Sequence, residues 1–113
     1  MNTLDLDYLI GINECICDQV GEECVIINEN NLLSALGVQY WYDDPRLLAS
    51  ALIRSLTIAH GFRDANKRTA AIAGAAICDF TCSEDDMAEC ILNIAKGELR
   101  DVEEIADILY PEK

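Results

Sequence analysis

Positive charge is scarce in this 113-residue sequence: 8 lysines and arginines stand against 21 aspartates and glutamates, a formal net charge of −13. A surface so negative repels phosphate backbones and anionic headgroups. That makes nucleic acid and membrane surfaces poor candidates for the main partner and a positively charged protein segment a better one. Long apolar runs are missing too, since none approaches the roughly 18 residues that would span a bilayer. Met1 to Asp7 carries acids where a secretory signal needs positive charge, so the protein is expected in the cytoplasm. Repeats and low-complexity segments are lacking, as is any Cys-x-x-Cys pair among Cys15, Cys17, Cys24, Cys78, Cys82 and Cys90. The last three sit beside Ile77, Phe80, Met87 and Ile91, where cysteine serves as a small apolar filler in a reducing compartment. A helical scaffold stapled by cysteine–metal bonds stays as a rival; it would carry zinc.

What the chain has is helix signal. Its length and 51% hydrophobic content suit one domain, residues 1–113, around one core. Leu9, Ile12, Ile16 and Val20 recur at steps of three or four and predict an amphipathic helix over Leu4 to Val20, with Gly21 as its stop. Cys24 to Ile27, "CVII", reads as an extended connector, followed by a turn-rich "NENN" and a short helix from Leu32 to Leu36. Pro45 closes an exposed loop, Val38 to Asp44, whose Tyr40, Trp41 and Tyr42 either cover the core or contact a partner. Leu48, Leu52, Leu56 and Ala59 form the stripe of a helix from Arg46 to His60. Thr69 to Phe80 is small and apolar nearly all round, which predicts a buried central helix. Ser83 with Asp86, and Asp101 with Glu104, have capping spacing for two more. The sum is an all-α bundle of about six helices with a short flap loop.

Histidine occurs once, and its neighbourhood is unusual. The stretch "HGFRDANKR", His60 to Arg68, gathers three of the eight basic residues, Arg63, Lys67 and Arg68, at the start of the apolar helix. A helix start has unpaired N–H groups and a positive partial charge, so it attracts an anion, commonly phosphate. Cations there are unfavourable until something negative arrives. Asp64 can cap the helix or hold a Mg²⁺ that bridges phosphate oxygens. Asn66 offers an amide to phosphate or forms a turn. Phe62 points inward as an anchor. His60, able to take a hydroxyl proton near neutral pH, is the candidate general base.

These nine residues resemble the Fic/Doc family motif, His-x-Phe-x-(Asp or Asn)-(Ala or Gly)-Asn-(Lys or Gly)-Arg, and Lys67 before Arg68 is similar to the Doc (death-on-curing) toxin branch. "NNLLSAL" at Asn30 to Leu36 and "AKGELRDVEEIADIL" at Ala95 to Leu109 are similar to further helical segments of that family. The resemblance implies a Fic fold that binds ATP with Mg²⁺: His60 the base, Asp64 the metal ligand, Asn66 a phosphate-orienting amide, Lys67 and Arg68 phosphate clamps, with Ala65 at the helix entry. The AMP-transferring branch has Gly at the position of Lys67 and a second Arg where this chain has Ala71. The Doc pattern implies transfer of the γ-phosphoryl group to a Ser or Thr hydroxyl of a translation factor, as with elongation factor Tu. Val38 to Asp44 matches the place of the family's flap, which aligns a target by strand-like pairing. Gly61 stands where Pro or a larger apolar residue is commoner. No (Ser or Thr)-x-x-x-Glu-(Gly or Asn) inhibitory motif is present, so the implied restraint is an antitoxin with a segment that folds on binding. AMP transfer and a non-catalytic nucleotide-binding module are the competing readings.

Overall fold

The computed structural model describes residues 3–112. Six helices follow one another: α1 (Leu6–Gln19), α2 (Glu29–Gly37), α3 (Pro45–Ala59), α4 (Asn66–Ile77), α5 (Glu84–Ala95) and α6 (Val102–Leu109), and no strand forms among the described residues. The chain is an all-α bundle.

Local chemistry explains where most of these helices begin. The side chains of Asp5, Asn28, Asp44, Ser83 and Asp101 each accept from a backbone N–H in the first turn of the helix they precede. Each such cap satisfies an otherwise orphaned donor and contributes about 1 kcal/mol. Pro45 occupies the first turn of α3, where its missing N–H does no harm. Gly21 and Gly97, with φ of 74° and 79°, turn the chain away after α1 and α5. Helix α4 is the exception: its N-cap is Ala65, which offers no side-chain bond.

Packing places α3 at the centre. It contacts α2, α4, α5 and α6, and Ala49, Ala51, Leu52 and Ile53 are wholly buried. The expectation of α4 as the buried central helix is therefore corrected. α4 ends at Ile77, before Phe80, and only Thr69, Ala70, Ala73 and Gly74 are buried along it, while Ile72 is exposed. Alanine is tolerated on either face of a helix, so an alanine-rich run does not report depth. Three further differences have local causes. Asn28 caps α2, so the "NENN" residues Glu29 to Asn31 are its first turn rather than a separate loop. The buried face of α1 is Leu9, Asn13, Ile16 and Cys17, and Val20 lies past the helix end in solvent. The anticipated flap at Val38 to Asp44 begins as a 3₁₀ turn, Val38–Trp41, held by Gln39, whose buried amide donates to the Leu4 and Leu36 carbonyls. Tyr40 and Trp41 are 81% and 82% exposed, so they do not cover the core.

Burial also sets an alkaline limit. It pushes the Cys90 thiol from 9.0 up to about 11, and raises the Tyr110 hydroxyl, which donates to the Cys78 carbonyl at 2.7 Å. Above pH 9 the unfolded chain releases the Cys90 proton while the folded chain keeps it until about 11. Stability is thus intact below pH 9 and declines as pH rises through that window, by roughly 2 kcal/mol for Cys90. Urea midpoints at about pH 8 and about pH 10.5 check this; a midpoint that holds or rises contradicts it.

Candidate functional site

The connection from α3 to α4, residues 60–65, is one tight loop. His60 and Ala65, at φ of 48° and 65°, are the two non-glycine residues with positive φ among the described residues, and they stand at its two ends. A left-handed conformation costs an L residue about 1–2 kcal/mol, so surrounding contacts must hold it.

Those contacts are specific. Phe62 is buried, as expected, and anchors the loop in the core. The "CVII" segment finds its pairing partner in the loop itself: Ile27 and Asn28 N–H groups donate to the Gly61 carbonyl at 2.8 and 3.1 Å, and Arg63 N–H donates to the Val25 carbonyl at 2.8 Å. Ile26 and Phe62 thereby form an isolated antiparallel bridge. The connector between α1 and α2 is thus paired with the loop beside His60. Asn13, fully buried on α1, donates to the Asp64 carbonyl at 2.9 Å and to the Thr69 hydroxyl at 3.1 Å. Asn31 on α2 donates to the Ala59 carbonyl at 2.9 Å, closing the end of α3 beside His60. Neither asparagine was singled out from sequence. Asn13 carries a visible signal, a polar residue inside the Leu9, Ile16, Cys17 stripe.

Gly61 has a packing reason. A Cβ there would run into the buried Leu32 side chain, so no larger residue has room. Gly61→Ala is expected to cost about 1–3 kcal/mol by forcing Leu32 aside. Thermal melts followed by circular dichroism measure it; an unchanged midpoint would show that Leu32 yields freely.

Of the two roles open to Asn66, an amide for phosphate or a turn former, its side chain takes the second. It accepts from Phe62 N–H at 3.1 Å and donates to the Phe62 carbonyl at 2.8 Å. Asn66 is a clamp on the loop, and what it can offer an anion is its backbone N–H. Asp64 does not cap α4. Its Oδ2 accepts from Arg63 Nε at 3.1 Å, and the same guanidinium lies 3.7 Å from Glu22. Oδ1 has no hydrogen-bond partner among the described residues.

The first turn of α4 is therefore an open set of donors. The earliest N–H bonded within the helix is that of Thr69, to the Ala65 carbonyl, and those of Asn66, Lys67 and Arg68 have no partner among the described residues. Lys67 and Arg68 are exposed and have no ion-pair partner among the described residues. Cations at a helix start oppose the macrodipole unless an anion intervenes. Asp64, Ala65 and Arg68 line one hollow of about 370 Å³ against the end of α1. His60 is exposed and lines a different, larger cleft of about 790 Å³ between α2, α3 and α5. His60 thus lines one hollow, and Asp64 with Arg68 another.

A hard divalent cation takes oxygen ligands and can be held by one or two carboxylates plus substrate phosphates. Asp64 Oδ1 suits that role, and no group of three or more His, Cys, Asp or Glu is placed to share an ion among the described residues. No helix among them is long and apolar enough to cross a membrane. Neither protein-family models nor curated proteins give a match to this chain.

Proposed function

We propose that this chain is a Doc-like protein kinase of the Fic/Doc kind, transferring the γ-phosphoryl of Mg·ATP to a Ser or Thr hydroxyl of a protein. The observation that carries the reading is the loop between two left-handed residues, delivering an uncapped helix start flanked by two unpaired cations. Strain of this kind persists where the surroundings enforce it, and it collects at sites of function. In a chain of net charge −13, a local positive focus is built for an anion.

In this reading the N–H groups of Asn66, Lys67 and Arg68 hold the phosphate oxygens, and the Lys67 and Arg68 side chains neutralise them. Asp64 would hold Mg²⁺, which when bound offsets negative charge on the phosphates. His60 takes the acceptor's hydroxyl proton as that oxygen bonds to the γ-phosphorus. The bond from the γ-phosphorus to the β–γ bridging oxygen breaks, and ADP departs. Positioning and charge compensation supply most of the rate in such transfers, and the loop provides both. The acceptor would be a translation factor such as elongation factor Tu, and an antitoxin would restrain the enzyme.

Incubating the full chain and Mg²⁺ with cell extract and either γ-labelled or α-labelled ATP tests the proposal. Label entering protein from the γ position supports it. Label from the α position points to AMP transfer. No label from either, with nucleotide still bound, points to a non-catalytic binding module.

A further inference from the structure

The larger cleft beside His60 differs in charge from the rest of the molecule. Arg54, Lys96 and Arg100 line it with His60, and none of the 21 acidic residues does. The cations have partial local duties. Arg54 Nη1 donates to the Arg100 carbonyl at 3.0 Å, and Arg100 Nε donates to the Gly97 carbonyl at 2.9 Å, both of which help close the end of α5. Each guanidinium has five donors, so most have no partner among the described residues. No carboxylate lies in ion-pair range of Arg54, Lys96 or Arg100 among the described residues. The remaining lining includes Asn31, Ser34, Ala35 and Ile58, with no phenyl, phenol or indole ring on which a nucleobase could stack.

We propose that this cleft receives the acceptor protein's own polypeptide, and that it selects a segment with an Asp or Glu about three residues from the acceptor hydroxyl. The inference rests on the reading of His60 as the base. The spacing follows from the scaffold. Arg54 and His60 are six positions apart on α3 and its cap, a rise of about 9 Å at 1.5 Å per residue. An extended peptide covers that distance in about three residues at roughly 3.3 Å each. A hydroxyl at His60 therefore places the acidic side chain among Arg54, Lys96 and Arg100. The partition is consistent with the proposed nucleotide position, because Asp64 and Arg68 line the other hollow.

The test uses the full chain with γ-labelled ATP, Mg²⁺ and a set of Ser/Thr peptides that carry Asp, Asn or Lys at each position around the hydroxyl. Asp three residues away is expected to lower KM about fivefold relative to Asn, with kcat little changed. Lys96→Glu, an exposed substitution whose folding circular dichroism can confirm, is expected to remove the Asp preference and favour Lys instead. A second arm measures binding of a fluorescent acidic peptide without ATP, in wild type, His60→Ala and Lys96→Glu. Binding kept in His60→Ala and lost in Lys96→Glu supports the cleft. If that pattern holds in a chain that transfers no phosphate to anything, the cleft stands as an acidic-peptide site and the kinase reading falls. Phosphate transfer with no acidic preference, displacement of the peptide by ATP, or an unaffected Lys96→Glu overturns the docking proposal and leaves the kinase reading intact.

Discussion

Replacing His60 by Gly is expected to yield a protein that is more stable and transfers phosphate far more slowly. His60 ends α3 at φ 48° and ψ 46°, and its side chain is exposed, so little burial is lost on its removal. Glycine adopts this conformation without the penalty of about 1–2 kcal/mol that a side chain meets, offset by about 0.5–1 kcal/mol of extra freedom in the unfolded chain. The net is a gain of up to about 1 kcal/mol. Loss of the general base should lower the transfer rate by about 10²–10⁴-fold. Ala65→Gly, at φ 65°, should show a similar gain in stability, which would establish that the loop stores strain at both ends. Denaturant titrations with a γ-phosphate transfer assay decide the matter. A His60→Gly chain that transfers phosphate at the wild-type rate removes the histidine from the mechanism, and one that is markedly less stable removes the strain.

Asn66→Asp is nearly isosteric, and two effects oppose each other in it. A carboxylate at the first position of α4 gains about 0.3–1 kcal/mol from the helix dipole. It also loses the N–H that donates to the Phe62 carbonyl at 2.8 Å, leaving a carbonyl of a buried residue facing a negative oxygen. Leaving such a group unsatisfied costs about 1–3 kcal/mol, so destabilisation by about 1–2 kcal/mol should win. Transfer activity should fall further than stability, by about 10²-fold or more, because a loop displaced by about 1 Å misaligns the reacting groups. Activity at the wild-type level would mean that the Asn66 clamp does not position the site.

The sequence pattern was informative wherever the cause was local. Ser83 with Asp86 and Asp101 with Glu104 place their caps within one turn, and Pro45 marks the start of α3 through its own ring geometry. The tight cluster from His60 to Arg68 stood out because opposite physical tendencies, cations and a helix start, occupy the same few residues. What escaped sequence depends on partners distant along the chain. The Asn66 amide bonds to Phe62 because the loop curls back on itself, and Asn13 reaches across 51 positions to Asp64. Val25 to Asn28 pairs with no strand among the described residues, only with the bent loop at Gly61 to Arg63, and a periodicity of two is not needed for that. The central place of α3 comes from contacts with four other helices, whereas the alanines of α4 would suit either depth. The cleft with Arg54, Lys96 and Arg100 joins residues 46 positions apart.

The central claim is that the open N–H groups of Asn66, Lys67 and Arg68 hold the phosphates of Mg·ATP near His60. Amide and imidazole resonances of the isotopically labelled chain, followed by NMR as Mg·ATP is added, report on it directly. Shifts that saturate together at Asn66, Lys67, Arg68 and the His60 ring are expected, and they should weaken in Arg68→Ala. Saturable shifts confined to other parts of the fold, or none at millimolar nucleotide, would contradict it.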